Sequence, residues 1–184
     1  MDNNYFLTSP RIGLREILPS DLGPRYQGWL HDPEVNRFLE TRYHPWSLQA
    51  MNRFVERLDG QLDEQLFAIC WRETDLHIGN IKLGPINWQH RRADISLFIG
   101  DKEHWGKGVA TETIALICEH AFITLNLNRV QAGAYCENHA SIKAFEKCGF
   151  LLEGRRSQYV QVAGKGMDLV LLGLTADGFW ERCR

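Results

Sequence analysis

Alternating apolar and polar residues predict the first strands of this chain. Arg11–Leu18 (RIGLREIL) alternates in this way and predicts a strand. Three more strand-like segments follow: Leu66–Trp71, His77–Ile86 and Ala93–Gly100. Turn residues around Glu73–Asp75 separate the first two of these, which is typical of an antiparallel meander.

A helical period of apolar residues marks the segments on either side of that meander. Ser20 and Asp21 are candidate caps for the first helix, and Asp32 with Pro33 predicts the start of a second. Ser47 is the candidate cap of a third. Five helices are expected in all, and they lie at Ser20–Leu30, from Pro33, at Leu48–Leu58, at Val109–Leu125, and from Asn138 to a C-terminal cap at Gly149.

The remaining strands complete a mixed fold. Arg129–Tyr135 predicts a strand, and Leu151–Val162 with Met167–Leu174 predicts a closing hairpin around the turn AGKG. We expect an α/β (α+β) fold in a single domain over residues 1–184. Its mixed, mostly antiparallel sheet has about seven strands, and helices cover both faces.

Composition narrows the possible partners. The chain has 184 residues, 44% of them apolar, and a formal net charge of -2. This charge gives no reason to expect nucleic acid or an anionic membrane as a partner. No apolar run approaches the roughly 20 residues that span a bilayer. The five scattered cysteines predict neither a disulfide framework nor a metal site, so we expect reduced thiols and a cytoplasmic protein.

A glycine-containing loop, DKEHWGKGVATET, joins the strand that ends at Gly100 to the helix from Val109. Gly106 and Gly108 allow the backbone to turn its amides toward a ligand, and the helix dipole favours an anion there. The segment is neither a Walker motif nor a dinucleotide fingerprint. Two interpretations remain open from the loop alone: a pyrophosphate cradle, or a glycine helix entry without a ligand.

Two motifs together resemble the GNAT superfamily of N-acetyltransferases. Its pyrophosphate loop reads [QR]-x-x-G-x-[GA], and this chain has E-H-W-G-K-G from Glu103 to Gly108. The second element, N-x-x-S-x-x-x-[YF]-E-K-x-G-F, matches Asn138–Phe150. The form W-G-K-G-x-A-T-E is similar to the branch that contains the Rim-type ribosomal-protein acetyltransferases, although Glu103 departs from the usual Gln or Arg.

The resemblance implies that acetyl-CoA is the acetyl donor. It implies that Asn138 and Ser141 contact the pantetheine or pyrophosphate and that Phe145 packs near the thioester. The full set of expected cofactor-binding residues is Phe98, Ile99, Trp105, Gly106, Lys107, Gly108, Val109, Ala110, Thr111, Asn138, Ser141 and Phe145.

Strand alternation suggests a general base. Asp94, Ser96 and Phe98 share one face of the strand, and we expect that face to line the substrate cleft. Asp94 is the candidate base, acting through water. The alternative is that Asp94 pairs with Arg91 or Arg92 at the strand start. His104 and Glu137 are weaker candidates.

The expected acid is less clear, because many relatives carry a Tyr where this chain has Phe145. Phe145 has no hydroxyl, so Ser141, a water or no dedicated group protonates the leaving thiolate. Tyr135 and Cys136 lie nearby in sequence, but strand packing explains the first and an inert thiol the second. We expect direct transfer without an acyl-enzyme.

The acceptor amine is not fixed by the sequence. We expect it to contact Glu40, Arg42, Tyr43, Asn80 and Lys82, with a solvated turn around Glu40–Trp46 as the alternative. A small amine, a nucleotide-linked amino sugar and a protein N-terminus remain open, as do a monomer and a homodimer. The alternative functions are a non-catalytic acyl-CoA-binding regulatory module and a generic nucleotide-phosphate binder.

Overall fold

The computed structural model describes residues 5–183, which contain one sheet of eight strands. The strands are β1 (Leu7–Thr8), β2 (Ile12–Arg15), β3 (Gln65–Trp71), β4 (Leu76–Asn87), β5 (Arg92–Ile99), β6 (Arg129–Tyr135), β7 (Leu151–Val162) and β8 (Lys165–Thr175). Their order across the sheet is β1-β2-β3-β4-β5-β6-β8-β7. Neighbouring strands are antiparallel except for β5 and β6, which are parallel.

Helices cover both faces of this sheet. They are α1 (Pro24–His31), α2 (Pro33–Asn36), α3 (Leu48–Leu58), α4 (Val109–Glu119), α5 (His139–Lys147) and α6 (Ala176–Arg182). Side chains of α4 and α5 pack with Ile95 and its apolar neighbours into the larger core cluster. Side chains of α1–α3 pack with Phe98 into a second cluster. Ile95 and Phe98 point to opposite faces because successive residues of a strand alternate.

The parallel pair β5–β6 separates partway along its length. Only Arg92, Ala93 and Asp94 of β5 are paired with β6, whereas β4 continues to pair with β5 as far as Ile99. Beyond Asp94 the two central strands therefore leave a gap in the sheet. This gap positions the candidate site.

The predicted fold class is confirmed, and the strand count is corrected from about seven to eight. The extra strand is β1, whose two residues pair with β2 and are too few to produce an alternating pattern. The first predicted strand, Arg11–Leu18, is also shorter and ends at Arg15. The Asp21 carboxylate explains this end, because it accepts hydrogen bonds from Arg15 (2.6 Å) and from the Leu18 amide (2.8 Å).

The helix predictions are partly confirmed. Ser47 and Asn138 cap α3 and α5 as expected, by accepting hydrogen bonds from the amides of Ala50 and Ser141. The expectation that Ser20 or Asp21 caps α1 is wrong, since Gly23 is its N-cap. Asp21 lies instead in a short 3-10 turn.

The ends of two other segments also differ from the sequence prediction. The helix expected over Val109–Leu125 changes to π-type hydrogen bonding at His120–Thr124. The C-terminal helix α6 was not predicted. No helix within residues 5–183 is long and apolar enough to cross a membrane.

Candidate active site

The loop between β5 and α4 presents an uncapped helix N-terminus. Gly106 and Gly108 have φ values of 72° and 78°, in the left-handed region that favours glycine. Gly108 is the N-cap of α4, and no side chain caps the first turn. The amides of Val109, Ala110 and Thr111 therefore have no intrahelical acceptor. Trp105, Gly106, Lys107 and Gly108 are exposed, so a phosphate can reach this terminus.

Arg11 holds this loop in place. Its Nη1 donates to the carbonyl oxygen of Lys107 (2.9 Å), and its Nε donates to the Glu112 carboxylate in the first turn of α4 (2.7 Å). Ser9 also donates to Glu112 (2.7 Å). The Glu112 charge is thereby paired with Arg11 beside the N-terminus of α4, where the helix dipole favours an anion.

A cavity of about 680 Å³ opens at the gap between β5 and β6. Its walls come from both faces of the sheet. They are Tyr26, Leu30, Phe38, Leu39, Glu40, Thr41, Trp46, Met51, Phe54, Leu66, Asn80, Lys82, Ile95, Ser96, Leu97, Phe98, Gly133, Ala134, Tyr135, Asn138, Ser141, Phe145, Tyr159, Val160 and Leu169.

Alternation along β5 shows that this cavity passes through the sheet. Four successive residues, Ile95–Phe98, line it, and they alternate between the α4–α5 face and the α1–α3 face. A cavity on one face of an unbroken sheet would be lined by side chains from only one of these two sets. The cavity therefore connects a chamber under α1–α3 with the side on which α5 lies.

The α5 side of the cavity holds three residues that sequence analysis assigned to the cofactor. Asn138, Ser141 and Phe145 all line it. Asn138 Oδ1 accepts from the Ser141 amide (3.2 Å), which leaves the Ser141 hydroxyl for another partner. Phe145 is buried and packs edge-to-face on Phe150 with ring centroids 4.9 Å apart.

Backbone amides of β5 face the gap. The Gly100 amide donates to Ile78 of β4 (2.9 Å). Because successive amides of a strand point to opposite sides, those of Leu97 and Ile99 point away from β4, toward the gap. The Ile99 carbonyl on that side accepts from the Trp105 indole (2.8 Å), which connects the end of β5 to the loop.

Glu40 lies on the chamber side and forms a hydrogen-bonded group with Tyr135 and Arg42. The Tyr135 hydroxyl donates to Glu40 Oε1, and Arg42 Nη2 donates to the same hydroxyl (3.1 Å). Burial and, after it, the hydrogen bond to Glu40 raise the pKa of Tyr135 to about 12, against the opposing effect of Arg42. Tyr135 is therefore neutral near pH 7 and remains a donor to Glu40.

The other expected acceptor-binding residues differ in position. Asn80 and Lys82 line the chamber. Lys82 Nζ lies 3.2 Å from Glu64 Oε1. Arg42 and Tyr43 do not line the cavity, and both donate to the carbonyl oxygen of Gln161 at the end of β7. They therefore fix the Glu40–Trp46 segment to the closing hairpin.

Two polar side-chain atoms of the chamber wall lack a hydrogen-bond partner among residues 5–183. Asn80 is 3% exposed, and its Oδ1 accepts no hydrogen bond from any described residue. Its Nδ2 donates weakly to Phe67 O (3.4 Å). Thr41 Oγ1 is likewise buried without a partner in the described chain. Such orphaned groups are costly in a folded protein, so each needs an explanation.

The structure does not bring Asp94 to the cavity, so the expectation that Asp94 faces the cleft is corrected. Asp94 is the last β5 residue still paired with β6, opposite Gln131. Gln131 Nε2 donates to Asp94 Oδ1 (2.6 Å). The chamber opens only beyond this point, at Ser96 and Phe98. The alternative pairing with Arg91 or Arg92 is not observed among the described residues either: Arg91 binds Asn126, and Gln131 is the hydrogen-bond partner of Asp94.

The weaker catalytic candidates lie outside the cavity wall as well. His104 packs on Trp71, and its Nδ1 lies 3.4 Å from Asp101. Glu137 forms an exposed ion pair with Arg37 (3.0 Å). Of the expected cofactor residues, Ile99 and the loop Trp105–Thr111 are not among the residues that line the cavity.

Sequence reasoning missed the contributions of Leu97, Thr41 and Tyr135. The amide of Leu97 becomes relevant only because β6 stops pairing with β5 after Asp94. Tyr135 was interpreted as a packed strand residue. The only available signal was its place at the end of a strand beside the second motif.

Comparisons with known proteins show what this chain is similar to. Residues 11–151 match the family model described as "Acetyltransferase (GNAT) domain". The Bacillus licheniformis protein named "Uncharacterized N-acetyltransferase p20" is 32% identical over 170 residues, covering 91% of this chain and 94% of its own length. The Vibrio cholerae "Spermidine N(1)-acetyltransferase" is 33% identical over 144 residues, covering 77% and 82%.

A solved structure shares the fold. The Vibrio cholerae spermidine N-acetyltransferase in complex with CoA and spermine superposes with a TM-score of 0.83 at 22% identity. The superposition covers 94% of this chain and 99% of that chain.

Proposed function

The chain belongs to the GNAT acetyltransferase family and is an acetyl-CoA-dependent N-acetyltransferase, and from that premise we propose that it acetylates a small primary amine bound by Glu40. The observation that carries this proposal is the continuous cavity through the β5–β6 gap. It joins a chamber that holds a carboxylate to the side of the sheet where Asn138, Ser141 and Phe145 lie.

The residues on the cofactor side fit acetyl-CoA. Its pyrophosphate suits the uncapped amides of Val109–Thr111 at the N-terminus of α4. Acetyl-CoA supplies an acetyl group that is activated as a thioester. Asn138, Ser141 and Phe145 bind and orient its pantetheine arm beside the gap.

The chamber residues act on the amine. Glu40 binds the ammonium and takes up its proton, so that the neutral nitrogen attacks the thioester carbon. The amides of β5 that face the gap, Leu97 foremost, stabilise the oxyanion that develops on the acetyl oxygen. The C–N bond forms and the C–S bond breaks. The proton that the newly bonded nitrogen then loses passes through the Ser141 hydroxyl or a water to the departing thiolate, so the products are a neutral amide and a thiol, and Ser141 ends as it began.

A covalent acyl-enzyme is not part of this proposal. Both substrates reach one cavity, so holding them together supplies much of the rate enhancement. Cys136 is half-buried, packs against the core and does not line the cavity. Steady-state kinetics are expected to show a ternary complex rather than a ping-pong pattern.

The acceptor class is tested by CoA release over a panel of small primary amines, a nucleotide-linked amino sugar and a peptide with a free N-terminus. We expect turnover of the small amines, because residues of α1, α3 and the Glu40–Trp46 segment form a largely apolar wall that offers few partners to a sugar or a peptide backbone. Preferred turnover of the peptide or the amino sugar would contradict the proposal.

The role of Glu40 is tested in the same assay. Glu40→Gln is expected to raise the KM for the amine roughly 10- to 100-fold, because a charged hydrogen bond to the substrate is lost, and to lower kcat as well, because glutamine cannot take up the ammonium proton. Glu137→Gln is the matched control, since Glu137 is an exposed carboxylate outside the cavity. An unchanged amine KM in Glu40→Gln would remove Glu40 from the site.

A further inference from the structure

The charges of the chamber wall are few. Among the described lining residues, only Glu40 and Lys82 carry a formal charge at neutral pH. Lys82 is paired with Glu64, which does not line the cavity. Glu40 is therefore the one carboxylate that this wall offers to a cationic ligand.

Most of the chamber wall is apolar. Leu30, Met51, Phe54, Leu66, Phe98 and Leu169 form much of its surface. A second ammonium placed in this chamber would lie against apolar side chains or near the Lys82 cation. An unpaired charge in such surroundings is strongly disfavoured. The wall therefore suits an acceptor with one cation on an apolar body.

Asn80 indicates a second feature of the acceptor, a hydrogen-bond donor. Its Oδ1 is buried and unpartnered among the described residues, and Asn80 lies in the chamber wall. It shares the sheet face of Phe98, the residue directly opposite it on β5. A neutral donor on the acceptor, such as a hydroxyl or an amide N–H, would satisfy this oxygen without bringing a second charge.

We infer that the acceptor carries a single ammonium group and, on an apolar body, a neutral hydrogen-bond donor that reaches Asn80 Oδ1. This inference rests on the proposed function and names its substrate class. It separates this chain from its Vibrio cholerae relative, whose name gives the polyamine spermidine as substrate.

Three amines of equal length test the inference directly. Hexylamine, 5-amino-1-pentanol and 1,5-diaminopentane differ only in the group at the end opposite the reacting amine, which is methyl, hydroxyl or ammonium. For the wild-type protein we expect kcat/KM to be highest for the amino alcohol. We expect it to be lowest for the diamine, by at least about tenfold.

Asn80→Leu identifies the residue responsible, because leucine is of similar size and offers no acceptor. This variant is expected to lose the preference for the amino alcohol over hexylamine while keeping its discrimination against the diamine. Asn52→Leu on α3 is the matched control and should keep the wild-type order, since Asn52 donates to Leu48 within its own helix and does not line the cavity. The melting temperature of Asn80→Leu should equal or exceed that of the wild type, because an orphaned acceptor has been removed.

The outcomes separate the two proposals. A diamine or spermidine turned over faster than the other amines would overturn this inference and leave the proposed function standing. Equal preference for the amino alcohol in wild type and Asn80→Leu would remove Asn80 from recognition. Failure of the wild-type protein to acetylate any amine of the panel would overturn both proposals.

Discussion

Tyr135 shows how the chemistry of a residue depends on what folds against it. In the sequence it is a strand aromatic beside the second motif, but in the structure its hydroxyl lies between Glu40 and Arg42. These partners come from a segment about 95 positions earlier in the chain. Burial and the Glu40 hydrogen bond both raise its pKa, so it serves as a donor that fixes Glu40 and not as a source of charge.

Asp94 illustrates the opposite case, in which the position of a candidate general base in the fold excludes it from the proposed site. Because its carboxylate is bound by Gln131 outside the cavity, we expect Asp94→Asn to keep kcat within about twofold of the wild type, as for a residue remote from the reacting groups. The pH dependence of kcat/KM should also be unchanged, and it is measured over the range in which a carboxylate titrates. A lower kcat/KM with an altered acidic limb would restore Asp94 as a general base.

At the scale of elements, the N-terminus of α4 is the feature that we propose binds the cofactor. Its function depends on positive φ values at Gly106 and Gly108 and on first-turn amides without a cap. A Cβ added at Gly108 would meet only Arg11 Nη2, at 3.6 Å. A large side chain there would therefore extend over the amides rather than into the core.

Gly108→Trp is consequently expected to prevent acetyl-CoA binding while leaving the protein folded. In the wild type, acetyl-CoA at 100 times its Kd should stabilise the fold by about 2.7 kcal/mol in a thermal-shift experiment, and ATP or NAD should not. The variant should lose this stabilisation.

Gly164→Trp is the matched control, because Gly164 has nearly the same φ of 77° and open surroundings in the β7–β8 turn. It should show the same backbone strain and keep the acetyl-CoA response. Retained stabilisation in Gly108→Trp, or stabilisation by ATP in its place, would contradict the assignment of the loop.

At the scale of the whole molecule, a buried polar group connects the N-terminal segment to the sheet. Arg15 and Asp21 form an ion pair of 2.6 Å, and His77 Nδ1 lies 3.6 Å from Asp21. His77 also stacks on Tyr26 of α1, with ring centroids 5.9 Å apart. Burial lowers the pKa of His77 to about 4, against the opposing effect of Asp21.

The buried group of Arg15, Asp21 and His77 predicts that the free energy of unfolding depends on pH. Below pH 6.5 the unfolded chain protonates His77 while the folded chain does not, so acidification from 6.5 toward 4 favours unfolding. The His77 contribution lost across this window is about 2 kcal/mol. Denaturant unfolding at pH 7 and pH 4.5 measures it.

His77→Phe keeps the ring packing and removes the titrating group, so its free energy of unfolding should fall less on acidification than that of the wild type. His90→Phe, in the exposed turn between β4 and β5, is the control and should follow the wild type. An identical acid response in His77→Phe would show that other groups determine it.

Much of the fold and part of the site were predictable from the sequence because their signals are local. Strand alternation gave β2–β8 to within a few residues, and Ser47, Asn138 and Gly149 marked helix ends through hydrogen bonds and dihedral angles of their own segments. The two motifs indicated the family, which the comparisons confirm, whereas the narrower Rim-type branch stays a prediction. The loop Trp105–Thr111 was identified because backbone conformation and helix position are both encoded locally.

Only the tertiary structure decided which side chains surround the acceptor. The gap between β5 and β6 arises where two strands separated by a helix stop pairing. No residue type in either strand predicts where this pairing ends. Packing placed Asp94 outside the cavity, brought Glu40 to Tyr135 and left Asn80 Oδ1 without a hydrogen-bond partner among residues 5–183. Hydrogen bonding and burial between distant segments depend on how the chain packs, so local sequence determined the elements and the cofactor loop, and packing determined the acceptor site.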